Sequence, residues 1–193
     1  MYVLRITRLI FLISFTTMAQ ELPFSSIQPP AESYSAGTSI SRMIQGLGFR
    51  YYWATDGLRD EDLSYRPTSE AKNTMETIQH IYGLSKTILN TVKNIPSLRP
   101  ALKPPATLED LRETTLNHLK EAASLFENIN ETQLEYLNII FERGGKQTKF
   151  PVWNLINGPI ADAIYHTGQV VSFRRTSGNP IPKGVNVFLG VKN

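Results

Sequence analysis

The sequence predicts an all-α protein built on a four-helix bundle, and three observations support this fold class. Four segments of about 18–26 residues carry apolar side chains at three- and four-residue steps, the period of amphipathic helices. Long polar connections separate them, and the 193-residue chain shows no internal repeat and no pattern typical of a parallel sheet. Apolar residues make up 41% of the chain, which favours a globular protein over a disordered one.

The N-terminus has the features of a secretory signal peptide. Arg5 and Arg8 precede an apolar run at residues 9–15, and the small residues Thr17 and Ala19 fit a cleavage site. The run is too short for a bilayer span, which needs about 20 apolar residues. We therefore expect a signal peptide at residues 1–19 and export to the periplasm or medium, with no membrane span in the mature chain. A buried N-terminal helix is the alternative.

Composition limits the cross-links and partners of the chain. No cysteine is present, which excludes disulfides and an acylated cysteine anchor, so stability must come from the core. Loss of the two signal-peptide arginines lowers the formal net charge from +3 to +1. No run of basic residues indicates a nucleic-acid partner, and we expect a small-molecule substrate instead.

The predicted bundle domain covers residues 38–193. It follows an extended lead-in at residues 20–37, which is rich in proline and serine. Thr38 or Ser39 caps the first helix, which continues to about Thr55.

A charged loop at residues 56–73 is predicted to connect the first two helices. Asn73 or Thr74 caps the second helix, which ends near Asn94. The connection at residues 95–106 contains several prolines and cannot be helical throughout.

The third helix is predicted from Thr107 to about Asn128, with Asp110 completing a capping-box pattern. Residues 138–141 break the helical period and are compatible with a short strand or a helix end. The glycine pair that follows at 144–145 predicts a turn.

The fourth helix is predicted to begin near Pro151 and to end before Gly178. Arg174 and Arg175 lie in its last turn, where positive charge favours the helix dipole. An irregular C-terminal tail follows at residues 179–193.

Three histidines and one aspartate occupy unusual positions on these helices. Asp162 and His166 are four residues apart, so they share a face and can reach one metal ion, one substrate proton or water. His80 and His118, on the second and third helices, also lie at the edges of apolar arcs. Geometry on the helical wheel admits all three histidines to a cavity, although a solvated or core histidine is commoner than a ligand. Two histidines and one carboxylate form a set that binds divalent metals in helical proteins.

Two stretches resemble the DinB/YfiT-like family. DAIYHTGQVVSFRR, residues 162–175, is similar to its last bundle helix, and LSYRPTSEAKNTMETIQHI, residues 63–81, to the entry into its second helix. The resemblance covers most of residues 38–178. It implies that His80 and His166 are metal ligands, with Asp162 at the position where the family usually has a third histidine.

The resemblance implies a metalloenzyme, either a hydrolase or a thiol or group transferase, and a homodimer. Export, which we expect from the signal peptide, is a departure from the family. The expected cofactor is a divalent ion, with Zn, Ni, Fe and Mn left open. The family takes no ligand from the third helix, which excludes His118. Glu76 is a weak candidate for a general base or extra ligand, and Gln169 for a hydrogen bond to a ligand or water. The competing hypothesis is a non-enzymatic bundle with an envelope stress or ligand-binding role.

Overall fold

The computed structural model describes residues 21–193, so the predicted signal peptide lies outside the described part of the chain. The described chain is mostly helical, as predicted. It also has a few short strands, which an all-α description does not include. The helices are α1 (Ala36–Thr55), α2 (Asp60–Ser64), α3 (Thr74–Val92), α4 (Leu108–Glu127), α5 (Glu131–Glu135), α6 (Trp153–Leu155) and α7 (Ala161–Thr176). The strands are β1 (Ser97–Leu98), β2 (Asn138–Arg143), β3 (Lys146–Pro151), β4 (Val185–Asn186) and β5 (Val191–Lys192).

The four long helices pack around one core. Both α1 and α3 contact α4 and α7. Their buried apolar side chains face each other, and burial of each contributes about 1.5–3 kcal/mol relative to exposure. The fully buried members include Ile44, Leu47, Tyr51, Ile78, Ile81, Leu111, Leu119, Phe126 and Val170.

Side-chain caps fix where α3 and α4 begin. The Asn73 side chain accepts a hydrogen bond from the Glu76 backbone N–H at 2.8 Å, and the Glu76 carboxylate accepts one from the Asn73 N–H at 2.7 Å. The Thr107 hydroxyl accepts from the Asp110 N–H at 3.1 Å. These side chains satisfy backbone donors that a helix start leaves free, which confirms the predicted caps at Asn73 and Thr107. The predicted capping box at Thr107 is half formed, because the Asp110 carboxylate accepts from the Thr107 hydroxyl and not from its backbone N–H.

The region before α7 differs from the predicted continuous fourth helix. Pro151 ends strand β3, which pairs antiparallel with β2 around the Gly144-Gly145 turn. A π-helical segment at Ile156–Ile160 then precedes α7, and Gly158 within it is non-helical (φ −96°, ψ −108°). Pro159 has no backbone N–H to donate, so a regular α-helix cannot pass through this point. The helix that carries the candidate ligands therefore begins at Ala161.

Two predicted connections contain unexpected structure. The charged loop at residues 56–73 includes α2, and the proline-rich connection contributes β1, which pairs parallel with β2. The lead-in predicted at residues 20–37 ends earlier than expected, because Ser35, not Thr38 or Ser39, caps α1. The predicted irregular tail contains the antiparallel pair of β4 and β5. The Ile27 N–H donates to the Gly190 carbonyl at 2.8 Å and so connects the lead-in to this pair. Among residues 21–193, no helix combines the length and the hydropathy that a bilayer crossing requires.

Candidate metal centre

Three metal-ligating side chains meet where α3 packs against α7. His80 Nε2 lies 3.2 Å from Asp162 Oδ2, and His166 Nε2 lies 3.2 Å from Asp162 Oδ1. One donor atom from each residue falls within 4.8 Å of the other two. The structure thus brings together the three residues that the sequence and the family resemblance selected, with the carboxylate between the two imidazoles.

Local structure explains why these side chains point to one place. Asp162 lies in the first turn of α7 and His166 one turn later, so both project from the same face. The capping box at Asn73 fixes the start of α3 and thereby the orientation of His80. The two imidazole rings approach edge to face, with centroids 4.6 Å apart and an interplanar angle of 89°.

The group lies at the surface and is open on one side. Side-chain exposure is 35% for His80, 41% for Asp162 and 17% for His166. Behind it, Ala163 and Val170 belong to the buried core. A ligand held by the three residues would therefore meet solvent or a small molecule on its outer side.

Gln169 orients one of the two imidazoles. Its side-chain oxygen lies 2.7 Å from His166 Nδ1. Because an amide oxygen only accepts hydrogen bonds, Nδ1 is the donor in this contact. A neutral His166 then presents the lone pair of Nε2 to Asp162. Outer hydrogen bonds of this kind commonly fix the orientation of metal-binding histidines.

The donor set fits a divalent cation. With the Nδ1 proton on the Gln169 side, an imidazole lone pair faces a carboxylate oxygen at 3.2 Å. A cation between two such acceptors removes their repulsion. In a tetrahedral shell with bonds of about 2.0–2.1 Å, two ligand atoms lie roughly 3.3 Å apart. The two histidine–carboxylate contacts of 3.2 Å, which use different oxygens of Asp162, are close to this value.

His80 is held in the form that a metal requires. Partial burial lowers its pKa, and the charge of Lys72 adds to this effect, while the hydrogen bond to Asp162 opposes it. The net direction keeps the imidazole neutral at neutral pH. Only a neutral imidazole can donate its lone pair to a metal.

Glu76 and His118 lie outside this group. The Glu76 carboxylate is engaged by the Asn73 N–H and by Arg66 Nη2 at 3.4 Å, so it serves the helix cap. His118 Nδ1 lies 3.1 Å from the Ser85 hydroxyl, on the seam between α3 and α4. The family resemblance excluded His118 as a ligand, and its position outside the group agrees with this.

A second polar cluster, which sequence reasoning missed, surrounds Asp62 in α2. This fully buried carboxylate accepts hydrogen bonds from the Arg59 side chain (2.9 and 3.0 Å), the Asn179 amide (2.6 Å) and the Ser177 hydroxyl. The Arg59 bonds hold the pKa of Asp62 well below its usual range, with Ser177 and Asn179 contributing, against the opposing effect of burial. The one local signal was Arg59 three residues before Asp62.

Arg174 joins the same end of the fold. Its guanidinium is 2% exposed and donates to the carbonyls of Trp53 (3.1 Å), Ala54 (3.1 Å) and Asp56 (2.9 Å) at the end of α1, and to that of Asn179 (2.6 Å). As predicted, this arginine lies in the last turn of its own helix. It also satisfies the free carbonyls of a neighbouring helix end, a role that the sequence did not predict.

The fold is that of a DinB-like protein. It is similar to the crystal structure of the DinB-like protein YjoA from Bacillus subtilis, with 17% sequence identity and a TM-score of 0.56. The similarity covers 75% of this chain and 96% of that one. No protein-family profile matches the sequence, and no curated protein matches it. The DinB-like fold expected from the sequence is confirmed by this structural neighbour.

Proposed function

We propose that this chain is a metal-dependent enzyme in which a DinB-type four-helix bundle holds one divalent cation, Zn, Ni, Fe or Mn. The ligands are His80, Asp162 and His166. The observation that carries the proposal is the convergence of these side chains, two with 3.2 Å contacts to the carboxylate between them, on a partly exposed seam. Each is a ligand type suited to a divalent transition metal.

The proposed reaction is hydrolysis or group transfer on a small molecule. A divalent cation in this group would act as a Lewis acid that lowers the pKa of a bound water or thiol. The chain's own part is to hold the ligand set and leave its outer side open. Gln169 keeps His166 Nε2 directed at the group, and the buried residues behind it exclude water from the core side.

A thermal-shift and activity experiment tests this proposal. Untagged protein is stripped of metal and titrated with each of the four cations, and its turnover of chromogenic esters, amides and thiol acceptors is measured. A ligand that binds only the folded state increases the free energy of unfolding by RT ln(1 + [L]/Kd), and it therefore raises the melting temperature. His80→Gln should lose the shift and any turnover, whereas His118→Gln, a matched histidine change, should retain both.

One observation supports a non-enzymatic alternative, an envelope stress or ligand-binding bundle. Each carboxylate oxygen of Asp162 lies 3.2 Å from an imidazole nitrogen, so hydrogen bonds alone can join the three side chains when His166 carries a proton on both ring nitrogens. In that case no cation raises the melting temperature, and His80→Gln changes stability without changing any activity.

Export and assembly belong to the same proposal. The signal peptide at residues 1–19 is tested by N-terminal sequencing of protein made in a secreting host. The mature chain should begin near Gln20, and a chain that retains Met1 contradicts export. A homodimer is expected only from the family resemblance, and sedimentation analysis distinguishes it from a monomer.

A further inference from the structure

One face of the three-stranded sheet gathers positive charge from separate parts of the sequence. Strand pairing sets Arg143 opposite Lys146. Arg99 follows β1, where its backbone N–H donates to the Glu142 carbonyl at 2.7 Å, and its guanidinium lies over the Phe141 ring on the same face. Together with their neighbours they line a shallow depression of about 330 Å³, which we call the basic face. Its lining residues are Arg99, Phe141, Arg143, Lys146, Thr148 and Phe150.

The basic face carries three cations and no carboxylate in its lining. Like charges directly opposite each other destabilise a sheet, so the pairing of Arg143 with Lys146 is unfavourable for folding. Burial lowers the pKa of Arg99, and the charge of Arg143 adds to this effect. The ion pairs found within residues 21–193 include none of these three side chains.

Arg99 is held in a fixed position. Its guanidinium carbon stacks 4.4 Å from the centroid of the Phe141 ring, and Nη1 donates to the Leu98 carbonyl at 3.1 Å. The Phe150 ring contacts Phe141 edge to face and is 38% exposed. A preorganised guanidinium and an exposed aromatic edge offer contacts to a charged group and to an apolar part of the same ligand.

We propose that the basic face binds a phosphate-bearing ligand. Two guanidinium groups and one ammonium group match a phosphate or diphosphate, whose charge exceeds that of a single carboxylate, and guanidinium forks bind phosphate oxygens in pairs. Lysines on an edge strand also serve to prevent aggregation. However, Arg143 lies on the central strand β2, so edge protection does not account for it. Arg99 follows the edge strand β1, but its guanidinium lies over the Phe141 ring of β2 instead of projecting from the edge.

The test is a titration of the full mature chain with inorganic pyrophosphate at about 0.15 M salt. Binding is monitored by isothermal titration calorimetry and by backbone-amide NMR. Amides of residues 97–99 and 141–150 should shift. Arg143→Gln/Lys146→Gln should weaken binding about tenfold or more, because charge-assisted hydrogen bonds are lost. The same variant should not melt lower than the wild type, since it removes a repulsive pair. Arg99→Gln is a second test variant outside the β2–β3 pair, and it should also weaken pyrophosphate binding.

Matched controls separate this site from general charge and from the metal-binding group. Lys120→Gln/Arg175→Gln makes the same change in net charge on exposed helix positions and should bind pyrophosphate as the wild type does. Asp162→Ala should also bind it unchanged.

Sedimentation with phosphatidylglycerol vesicles tests a lipid source of the phosphate. Vesicle binding that Arg143→Gln/Lys146→Gln removes, without pyrophosphate binding, supports the proposal with a lipid phosphate as ligand. The proposal is overturned if neither probe binds, or if the double variant binds both as the wild type does. It is also overturned if polyglutamate, a carboxylate control without phosphate, is the one anion that binds.

Discussion

Two aspartates lie in very different polar clusters of the same fold. Asp62 is fully buried, and both of its oxygens accept hydrogen bonds from Arg59, Ser177 and Asn179. Asp162 keeps 41% of its side-chain surface exposed, and its close polar contacts are two imidazoles. The first carboxylate has donors around it from two chain segments, whereas the second faces groups that can themselves act as ligands.

The difference separates a structural carboxylate from a candidate ligand. The Asp62 cluster joins α2 to the end of α7, and Arg174 beside it joins α7 to the end of α1. Removal of any member leaves buried polar atoms without partners, which is costly. The partners of Asp162 are two histidines, which are themselves metal-ligand types. A cation can therefore bind between the carboxylate and the imidazoles.

The largest effect expected from this comparison is on stability. Asp62→Ala should lower the free energy of unfolding by about 3 kcal/mol, the lower end for loss of one partner of a buried charged pair, because Arg59 is half exposed. Asp162→Ala in metal-free protein should cost less than about 1 kcal/mol, as for exposed pairs. Urea unfolding of both variants measures the two values.

Acid provides a check on the same pair. Because the folded-state pKa of Asp62 is lowered, its contribution to stability is present above its unfolded pKa of 3.8 and is lost as the pH falls below that value. The difference in the free energy of unfolding between wild type and Asp62→Ala should therefore become smaller below about pH 4. A difference that stays constant, or equal costs for the two aspartates, would contradict the distinction.

Gln169 tests whether the group around Asp162 is organised for metal binding. Gln169→Leu removes the hydrogen bond to His166 Nδ1 and should weaken metal binding by about 10–100-fold, the range for loss of an outer hydrogen bond to a ligand. Gln169→Glu keeps an acceptor at this position and should restore most of the affinity. Competition titration with a chromophoric chelator gives the dissociation constants. A Leu variant with wild-type affinity would show that Gln169 is only a surface contact.

His118 provides a histidine with no carboxylate partner, and its expected effect is the smallest. Burial lowers its pKa to about 4 from 6.5. Between these values the unfolded chain binds a proton that the folded chain does not, so stability should fall as the pH drops through this window. One pH unit below 6.5, the loss should approach about 1.4 kcal/mol.

His118→Gln should remove that part of the pH dependence and leave metal binding unchanged. The measurement is the free energy of unfolding of both proteins at pH 7 and pH 5.5. Identical pH dependence in the two proteins would contradict the burial of this imidazole.

Local patterns in the sequence predicted the candidate site better than they predicted its surroundings. The four-residue spacing placed Asp162 and His166 on one face, and the family resemblance supplied His80, which no local spacing connects to them. The same logic could not find the Asp62 cluster, because Ser177 and Asn179 lie more than a hundred residues away in the chain.

Two helix starts followed the same rule, but the start of α1 did not, because its cap is Ser35 and not the predicted Thr38 or Ser39. Asn73 and Thr107 are caps whose partners lie three residues on, so the sequence located them. The start of α7 was misplaced because Pro151 fits both a strand end and a first helical turn. Only the pairing of β3 with β2 decides between them, and that pairing joins separate segments.

Metal stoichiometry in protein purified without an affinity tag tests the central claim most directly. Wild type, Asp162→Ala and the control His118→Ala are equilibrated with one divalent cation, dialysed and analysed for metal by mass spectrometry. About one ion per chain is expected in wild type and His118→Ala, and Asp162→Ala should lose most of its metal while its helical circular dichroism stays unchanged. Equal metal content in all three proteins, or none in the wild type, would contradict a metal centre at His80, Asp162 and His166.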